Sequence, residues 1–565
     1  MKFSEYRYER PDYEKTKEEM SKIIEKMDKC NNFKEFRECI TDINKIRNHI
    51  ETVKTMASLN YSINTDDENN IKEKEYWDIN SPIYDSLNME FYKALKKSDY
   101  REEIIEEYGN QFFRIADFSL REFSDEIIED LQEENRLCSE YTKLLSNGRV
   151  EFDGKINNLS QMGKYMLSSD REIRKEASKS FYDYFDKNEK KFDDNFDALV
   201  KVRDKIAKKL GFDDFVELGY IRMRRSDYNE EMVKNLREAV AKYWPELIEK
   251  LYKIKKERLN IEDVKYFDDD TEFPGWEMEP ETDYDETVEA ARKMYHEISK
   301  ETGEFFDYIT ENEFMDLESK EGKGMGGYCT YLPEIKAPFI FANFNRTFDD
   351  VDTLTHEAGH AFQLYMSKWI DMPEINFPTL DTCEIHSMSM EFITMPWMNL
   401  FFGKNTGRFE FSHLATMRKL IPYCMIVDEF QHIIYRKPDL TPEERKNEWH
   451  KLEKKYTPYK DYDGVEILEK GCWWFKQGHI FKNPFYYIDY ALAEICALQI
   501  ADNIEEDRRK GWDRYLDICR VGGTKSFMDV VALSGIQSPF ESSCIRDISV
   551  KISLRFDKIE RKYKI

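Results

Sequence analysis

Two histidines four residues apart, with a glutamate directly after the first, form the strongest chemical pattern in this chain. His356, Glu357 and His360 occur in the order H-E-x-x-H. On an α-helix, residues four apart lie about 40° apart around the axis and about 6 Å along it, so both imidazoles can reach one ion. Glu357, turned about 100° from His356, suits a carboxylate that takes a proton from water. The pattern predicts a catalytic zinc site with one ion per chain. Gly359 weakens such a helix by up to ~1 kcal/mol, so we expect a packing or metal-site reason for it.

A third ligand must come from another element, because a catalytic zinc site of this kind uses two histidines, a carboxylate and an open position. Glu384 follows His360 by 24 residues, which leaves room for a loop and a returning helix. Glu384, Ser387 and Glu391 share one helical face. Glu384 is therefore the preferred ligand, with Ser387 and Glu391 as partners that orient the ligands. On spacing alone, Glu391 and His386 remain alternative ligands.

A second group of chemically useful side chains lies in residues 472–490. His479 sits in a segment bracketed by glycine and proline, and Tyr486, Tyr487 and Tyr490 follow at the start of a predicted helix. A tyrosine hydroxyl or a histidine N–H can donate to an oxygen on which negative charge develops. The alternative interpretation is an aromatic core stripe with a hydrogen-bonded histidine.

The elements that would position these residues are mostly helices. Only 22 Gly and 16 Pro interrupt 565 residues, and apolar residues recur at helical spacing over long stretches. The fold class is therefore predicted as mainly α. Helical patterning is clearest in five ranges: 14–58, 125–146, 169–209, 229–260 and 284–301.

Two segments break the helical pattern. The acidic range 262–284 reads as a loop between helical regions. Range 319–347 holds four closely spaced glycines followed by short aromatic runs, which predicts a small β element next to the H-E-x-x-H helix. A flexible surface loop is the alternative for the glycines. Helical patterning resumes at about Asp350.

These breaks suggest three regions within one interwoven catalytic unit. We predict an N-terminal helical region at 1–90, a helical lobe at 91–320 and a catalytic zinc region with the small β element at 321–565.

The excess of acidic residues argues against two classes of binding partner, nucleic acids and anionic membranes. Lys+Arg number 86 and Asp+Glu number 113, which gives a formal net charge of −27. Such a surface repels nucleic acid and anionic membranes. We interpret it as a solvated exterior rather than an acidic channel.

No run of ~18 apolar residues predicts a membrane span. No signal peptide is predicted, and the ten cysteines form no CxxC pair. We therefore expect reduced thiols and a cytoplasmic protein.

Taken together, these motifs resemble the oligoendopeptidase F branch of the thimet-oligopeptidase family of zinc metallopeptidases. The likeness covers roughly residues 90–550, and Ser534-Gly-Ile departs from it without touching a catalytic position. Six segments carry the resemblance: 210–220, 326–331, 356–363, 383–391, 478–490 and 522–526.

The resemblance implies a mainly α, two-lobed fold around a deep substrate channel. It implies a zinc-dependent oligoendopeptidase that cleaves short unfolded peptides, and it favours Glu384 over the other possible ligands. It leaves open which of Tyr486 and Tyr487 faces the metal. The implied roles are zinc ligands for His356, His360 and Glu384, the general base for Glu357, and transition-state stabilisation for His479, Tyr487 and Tyr490.

Two other functions remain compatible with the sequence. One is a zinc-containing peptide-binding protein that does not hydrolyse its ligand, although structural zinc sites usually close all four positions with cysteine or histidine. The other is an exopeptidase, which would need a charge clamp for a peptide terminus that no motif identifies. The sequence leaves open the cleavage preference and the oligomeric state, and manganese or cobalt could take the place of zinc.

Overall fold

The structure is a computed structural model that describes residues 2–276 and 279–565. Residue 1 of the predicted N-terminal region, and residues 277 and 278 of the predicted loop at 262–284, lie outside the described residues. The mainly α fold class is confirmed, and the predicted domain boundaries stay predictions. None of the described helices combines the length and the apolar run needed to cross a bilayer.

The first five helices pack around a hydrophobic core separate from that of most of the chain, joined there by Ile370, Met372 and Ile375. Phe36, Trp77, Phe91 and Phe112 are fully buried in it. We call this part the N-terminal lobe. Its helices are α1 Tyr13–Met27, α2 Phe33–Ile63, α3 Glu68–Lys97, α4 Arg101–Tyr108 and α5 Asn110–Glu122.

The next part of the chain is also helical, apart from one short hairpin. Asp153 and Gly154 form its turn with positive φ angles of 53° and 69°. Its elements are α6 Ile128–Ser146, β1 Arg149–Phe152, β2 Lys155–Asn158, α7 Gly163–Met166, α8 Arg171–Lys187, α9 Glu189–Lys209, α10 Phe215–Arg222, α11 Glu230–Leu259, α12 Tyr284–Ile298 and α13 Lys300–Glu311.

A three-stranded sheet precedes the H-E-x-x-H helix. Its strands are β3 Met315–Glu318, β4 Tyr328–Leu332 and β5 Ala337–Phe344. β5 lies in the middle, parallel to β3 and antiparallel to β4. Cys329 pairs with Ile340, and Tyr331 pairs with Pro338, which has no N–H to donate. β4 is an edge strand, because it pairs only with β5 in this sheet. Because Tyr331 and Pro338 form a non-hydrogen-bonded pair, the backbone N–H and carbonyl groups of Tyr331 and Cys329 point away from β5.

The glycine-rich segment before β4 is tied to the N-terminal lobe. The Gly324 N–H donates to the Ser62 carbonyl at 2.6 Å, and the Thr65 N–H donates to the Gly322 carbonyl at 2.6 Å. The Tyr328 hydroxyl donates to Ser62 Oγ at 3.0 Å. The end of α2 thus holds the segment that leads into the edge strand.

Helices form the rest of the chain, and all of them except α15 share one large core with α6–α13 and the sheet. They are α14 Asp349–Met366, α15 Pro373–Asn376, α16 Leu380–Thr394, α17 Asn399–Phe402, α18 Thr406–Arg436, α19 Pro442–Tyr456, α20 Glu466–Glu469, α21 Gly478–Lys482, α22 Ile488–Glu506, α23 Arg508–Val521, α24 Phe527–Ser534 and α25 Ser542–Tyr563.

The structure refines three of the predicted helical ranges. Range 284–301 is divided between α12 and α13, because Ser299 caps α13 by accepting from the Thr302 N–H. Range 14–58 is divided between α1 and α2, because Asn32 caps α2 by accepting from the Glu35 N–H. Range 169–209 is divided into α8 and α9 at Asn188. The predicted β element is present, while β3 and the β1–β2 hairpin were not predicted.

Candidate metal centre and active site

Helices α14 and α16 carry the metal-binding motif and lie unusually close together. A Cβ atom on Gly359 would lie 2.6 Å from Ser387 Cα and 2.8 Å from the His386 carbonyl oxygen. No larger residue fits there without moving a helix, because both neighbours are backbone atoms. The glycine within the motif therefore has the packing reason that the sequence led us to expect.

Three ligand atoms converge between these helices. His356 Nε2 lies 3.2 Å and His360 Nε2 3.4 Å from Glu384 Oε2. The described residues offer one such cluster, with its ligand atoms within 4.8 Å of one another. Ligands bound to zinc at tetrahedral angles stand about 3.3 Å apart, given zinc–nitrogen distances of about 2.0–2.1 Å. The spacing and the donor set therefore fit zinc.

The buried charge also fits a cation. Glu384 is 2% exposed, and Glu357 beside it is 7% exposed. The Ser387 hydroxyl donates to Glu384 Oε2 at 2.9 Å. A buried carboxylate pair is costly without positive charge, and a divalent ion supplies it.

A second layer of side chains fixes the first histidine. His356 Nδ1 donates to Glu391 Oε1 at 2.6 Å, which leaves Nε2 free to bind a metal. Glu391 Oε2 also accepts from His413 Nε2 at 2.7 Å. Burial opposes ionisation of Glu391, but hydrogen bonds from both histidines lower its pKa to about 2. Burial and the nearby Glu391 raise the pKa of Glu494 to about 8, so that carboxyl stays protonated at neutral pH.

Glu357 lies between the ligand cluster and the edge strand. Burial raises its pKa above the ordinary value, while the neighbouring histidines and the Cys329 backbone N–H oppose that shift. The Cys329 N–H is one of the β4 groups that point away from β5, so the strand itself holds this carboxylate. A carboxylate with a raised pKa beside a metal site suits proton transfer.

A wall of polar aromatic residues faces the ligand cluster. His479 Nε2 lies 3.1 Å from the Tyr490 hydroxyl, and Gln477 Nε2 lies 2.7 Å from His479 Nδ1. With Gln477 donating to Nδ1, the ring proton is on Nε2. Burial lowers the pKa of His479 to about 4, with Lys482 adding to the shift, so the ring is neutral near pH 7.

The three tyrosines of this wall differ in their contacts. The Tyr486 hydroxyl donates to Glu384 Oε1. The Tyr487 ring packs 5.1 Å from His479 and 5.3 Å from Tyr490, measured between ring centres. Burial raises the pKa of all three hydroxyls, so they stay protonated donors. Tyr486 is thus the residue in contact with a ligand, and Tyr487 shares the wall without such a contact.

The turn before Tyr486 explains its direction. Phe485 has a φ of 70°, which non-glycine residues rarely adopt. Its N–H donates to Gln431 Oε1 at 3.0 Å, and its carbonyl accepts from Arg225 at 2.5 Å. Its ring is fully buried against Gly219. These contacts hold a strained backbone that turns Tyr486 toward Glu384.

The alternative ligand His386 lies on another face of α16. It is fully buried, with Nδ1 2.9 Å from the Thr382 carbonyl and Nε2 3.2 Å from the Ile518 carbonyl. Burial lowers its pKa to about 4. It is a hydrogen-bonded core histidine outside the cluster.

Comparison with protein families gives two matches that cover most of the chain. Residues 164–550 match the family described as Peptidase family M3. Residues 3–123 match the Peptidase M3 N-terminal domain.

Curated relatives point in the same direction. Oligopeptidase PepF of Bacillus subtilis is 24% identical over 392 residues, which cover 67% of this chain. The chain spans 57% of that protein's length. An oligoendopeptidase F homolog of Borreliella burgdorferi is 23% identical over 458 residues, covering 77% of this chain and 75% of the relative.

Solved structures match over the whole length. The structure of PZ peptidase A with an inhibitor is 45% identical, with a TM-score of 0.96 and 99% coverage of both chains. A Bacillus anthracis protein provisionally named oligoendopeptidase F is 42% identical, with a TM-score of 0.92, and the alignment covers 100% of this chain and 99% of that one.

Proposed function

The chain belongs to peptidase family M3, and from this premise we propose that it is a zinc-dependent oligoendopeptidase that hydrolyses short unfolded peptides. The observation that carries the proposal is the convergence of His356, His360 and Glu384 with Glu357 beside them. Three protein ligands leave a fourth position open, which is typical of catalytic rather than structural zinc.

The proposed ligands are His356, His360 and Glu384, each held by further contacts or by helix packing. When bound, zinc supplies a Lewis acid that polarises water and the carbonyl of the bond to be cut. Glu391 keeps His356 in the tautomer that presents Nε2. Ser387 and Tyr486 each donate to Glu384, which restrains the orientation of that carboxylate.

Glu357 is the proposed general base. It removes a proton from the attacking water and later delivers that proton to the leaving amine. Its position supports both steps, since it lies next to the ligand cluster and is held by the Cys329 N–H of the edge strand.

The aromatic wall is proposed to stabilise the transition state. Tyr487 and Tyr490 offer O–H donors to the carbonyl oxygen as its negative charge develops, and His479 supports them by donating to Tyr490. The neutral ring of His479 donates through Nε2 toward Tyr490, which leaves the Tyr490 proton for the substrate. Tyr486 is assigned to Glu384, because its hydroxyl already donates to that ligand.

The open edge of β4 is the proposed binding surface for the substrate backbone. The Cys329 carbonyl and the outward N–H and carbonyl of Tyr331 can pair with an extended peptide as an added strand, while the Cys329 N–H stays with Glu357. Pairing of this kind depends on the peptide backbone and not on the side chains, so we expect the enzyme to accept peptides of many sequences.

The decisive experiment compares the wild type with Glu357→Gln on a mixture of short peptides. We expect the variant to keep its zinc, measured by elemental analysis, and to lose hydrolysis by roughly 10²–10⁴-fold or more, measured by mass spectrometry of the products. A chelator should abolish wild-type cleavage, and added zinc should restore it.

The matched control is Glu297→Gln, an exposed carboxylate that accepts from Trp397 and makes none of the contacts described for the ligand cluster. It should keep full activity. Continued cleavage by Glu357→Gln would remove the proposed base, and a wild type that holds zinc but cuts nothing would favour the peptide-binding alternative.

A further inference from the structure

A segment from a distant part of the sequence holds the turn that begins the aromatic wall. Range 210–220 carries part of the family resemblance but supplies no ligand, base or donor to the proposed mechanism. It leads into α10, and after this helix the chain bends at Arg224, whose φ is 58°. The N–H of the next residue, Arg225, donates to the Tyr220 carbonyl at 3.1 Å. The backbone of Arg225 is therefore fixed against α10.

The Arg225 side chain holds the backbone on both sides of the first wall tyrosine. Its Nη2 donates to the Phe485 carbonyl at 2.5 Å and to Asp489 Oδ1 at 3.0 Å. The first acceptor belongs to the peptide unit that leads into Tyr486, and the second belongs to the residue before Tyr490. The Asp489 N–H in turn donates to the Tyr486 carbonyl at 2.9 Å. One guanidinium nitrogen thus joins the strained turn to the first turn of α22 by charge-assisted hydrogen bonds.

The same segment also fixes the side chain of Phe485. A Cβ atom on Gly219 would lie 2.4 Å from Cδ2 of the Phe485 ring, so this ring rests directly on the backbone of α10. The ring centres of Tyr220 and Phe215 lie 5.7 Å and 6.4 Å from that of Phe485. Residues 215–225 therefore hold both the ring and the carbonyl of the residue with the strained φ.

Arg225 occupies its position at a cost in free energy. Its side chain is fully buried, and within the described residues Asp489 is the one carboxylate that pairs with it. Its Nε and Nη1 have no hydrogen-bond partner there, and the guanidinium lies 4.4 Å from the centre of the Tyr220 ring. A buried charge and buried donors without partners both oppose folding. Costs of this kind, beside a strained backbone, are typical of groups that hold a functional conformation.

We propose that Arg225 is a positioning residue of the active site. It holds the turn at Phe485, and this turn directs the hydroxyls of Tyr486 and Tyr490 toward the ligand cluster and the substrate. The proposal rests on the proposed function, and it gives a role to α10 and the bend after it. Among the described contacts, Arg225 has none with a ligand or with the proposed base, so its effect passes through the tyrosines.

The first test is a double-mutant cycle in the full-length protein, measured at saturating zinc. We expect Arg225→Met to lower kcat roughly 10–100-fold with little change in KM, because a donor that is misplaced by about 1 Å loses most of its effect. In the Tyr490→Phe background the same substitution should lower kcat by at most about threefold, since the hydroxyl that it displaces is gone. Tyr487 is braced separately, because its ring lies 5.3 Å from that of Tyr423.

The second test measures zinc affinity and needs no catalysis. Arg225→Met should weaken zinc binding about as much as Tyr486→Phe does, because the turn no longer directs that hydroxyl to Glu384. Both substitutions together should weaken it no more than Tyr486→Phe alone. Competition with a zinc chelator measures the affinity. A purely structural role would lower the melting temperature without this non-additivity.

Arg174→Met is the matched control, because it removes a buried arginine with partners of the same kinds. Arg174 donates to the Ser168 carbonyl at 2.7 Å and pairs with Asp268 at 3.0 Å. This control should lose thermal stability and keep its kcat and zinc affinity. Arg225→Lys should recover part of kcat, since an ammonium group can donate to the Phe485 carbonyl but lacks the planar fork.

An unchanged kcat in Arg225→Met would overturn the proposal and leave the peptidase function intact, as would an equal loss of kcat in the wild type and in Tyr490→Phe. A wild type that cleaves no peptide would instead count against the proposed function. The zinc measurements then decide the role of Arg225 alone, with additive effects refuting it.

Asp489→Asn replaces Arg225→Met if that variant fails to fold. The amide is nearly the same size and keeps an acceptor for Arg225, but it removes the charge that strengthens the hydrogen bond. Its kcat should fall roughly three- to tenfold in the wild type and less than about twofold in Tyr490→Phe. An unchanged kcat in Asp489→Asn, or an equal loss in both backgrounds, would refute the proposal.

Discussion

The two sides of the candidate active site are built in different ways. On the helical side, α14 and α16, the ligand atoms stand at fixed spacing and their neighbours are hydrogen-bonded to them, as Glu391 is to His356 and Ser387 is to Glu384. On the aromatic side, the Tyr487 hydroxyl has no hydrogen-bond partner within the described residues.

The difference teaches which interactions the protein completes by itself. The helical side needs one ion, and its geometry is set when the helices pack. The aromatic side has hydroxyl donors in excess of acceptors, so we expect the substrate to supply the carbonyl oxygen that completes it. Substitutions on the first side should therefore affect metal content, and those on the second should affect turnover and substrate choice.

The largest effects are expected from three single substitutions on the aromatic side of the site. Tyr490→Phe and Tyr487→Phe should lower kcat by roughly 10²–10³-fold, with little change in KM and with zinc retained, because each removes one donor to the developing oxyanion. Steady-state kinetics and elemental analysis measure both quantities.

Tyr486→Phe is the matched comparison, since it removes a donor from Glu384 and not from the substrate. It should weaken zinc binding as well as turnover. If Tyr486→Phe left zinc affinity intact and lowered kcat as Tyr487→Phe was expected to, the roles of these two neighbours would be exchanged. An unchanged kcat for Tyr490→Phe would remove that residue from the mechanism.

The next test addresses the helical side. Glu391→Gln should reduce zinc affinity by roughly 10–100-fold, since the amide cannot hold the His356 N–H as an ionised carboxylate does. Its low pKa keeps the native carboxylate charged across the working pH range. A competition titration with a zinc chelator measures the affinity.

The control for this test is Glu18→Gln, which changes an exposed carboxylate of α1 that pairs with Lys22. It should bind zinc as the wild type does. Unaltered zinc affinity in Glu391→Gln would mean that helix packing alone orients His356.

The smallest expected effect concerns the edge strand. A peptide N-methylated at one backbone position that pairs with β4 should lose roughly two- to tenfold in kcat/KM, the worth of one backbone hydrogen bond. Methyl scanning along one peptide finds the positions, and alternate residues should be sensitive because strand pairing has a period of two. Uniform tolerance of methylation would exclude pairing with this strand.

The candidate ligand cluster could be predicted from the sequence, because local helix geometry relates most of its residues to one another. His356, Glu357 and His360 lie on one helix, so their relative positions follow from helix geometry, and the face shared by Glu384, Ser387 and Glu391 follows in the same way. Spacing could not exclude His386. Only the packing of α16 against Ile518 shows that this histidine points elsewhere.

The rest of the site depends on the tertiary fold. Tyr486 contacts Glu384 because Phe485 adopts a positive φ, and no residue pattern predicts such a conformation for phenylalanine. The β1–β2 hairpin is different, since Asp153-Gly154 is a readable turn signal that the sequence analysis passed over.

The missing side chain at Gly359 has a consequence for how the site tolerates change. Because backbone of one helix rests on backbone of the other, the reach from both imidazoles to the acidic ligand is determined by the main chain rather than by flexible rotamers. Substitutions at surface residues should therefore leave the spacing of the ligand atoms unchanged. A single methyl group at this contact, by contrast, would push α14 and α16 apart and so change the distance between the histidine nitrogens and the Glu384 carboxylate.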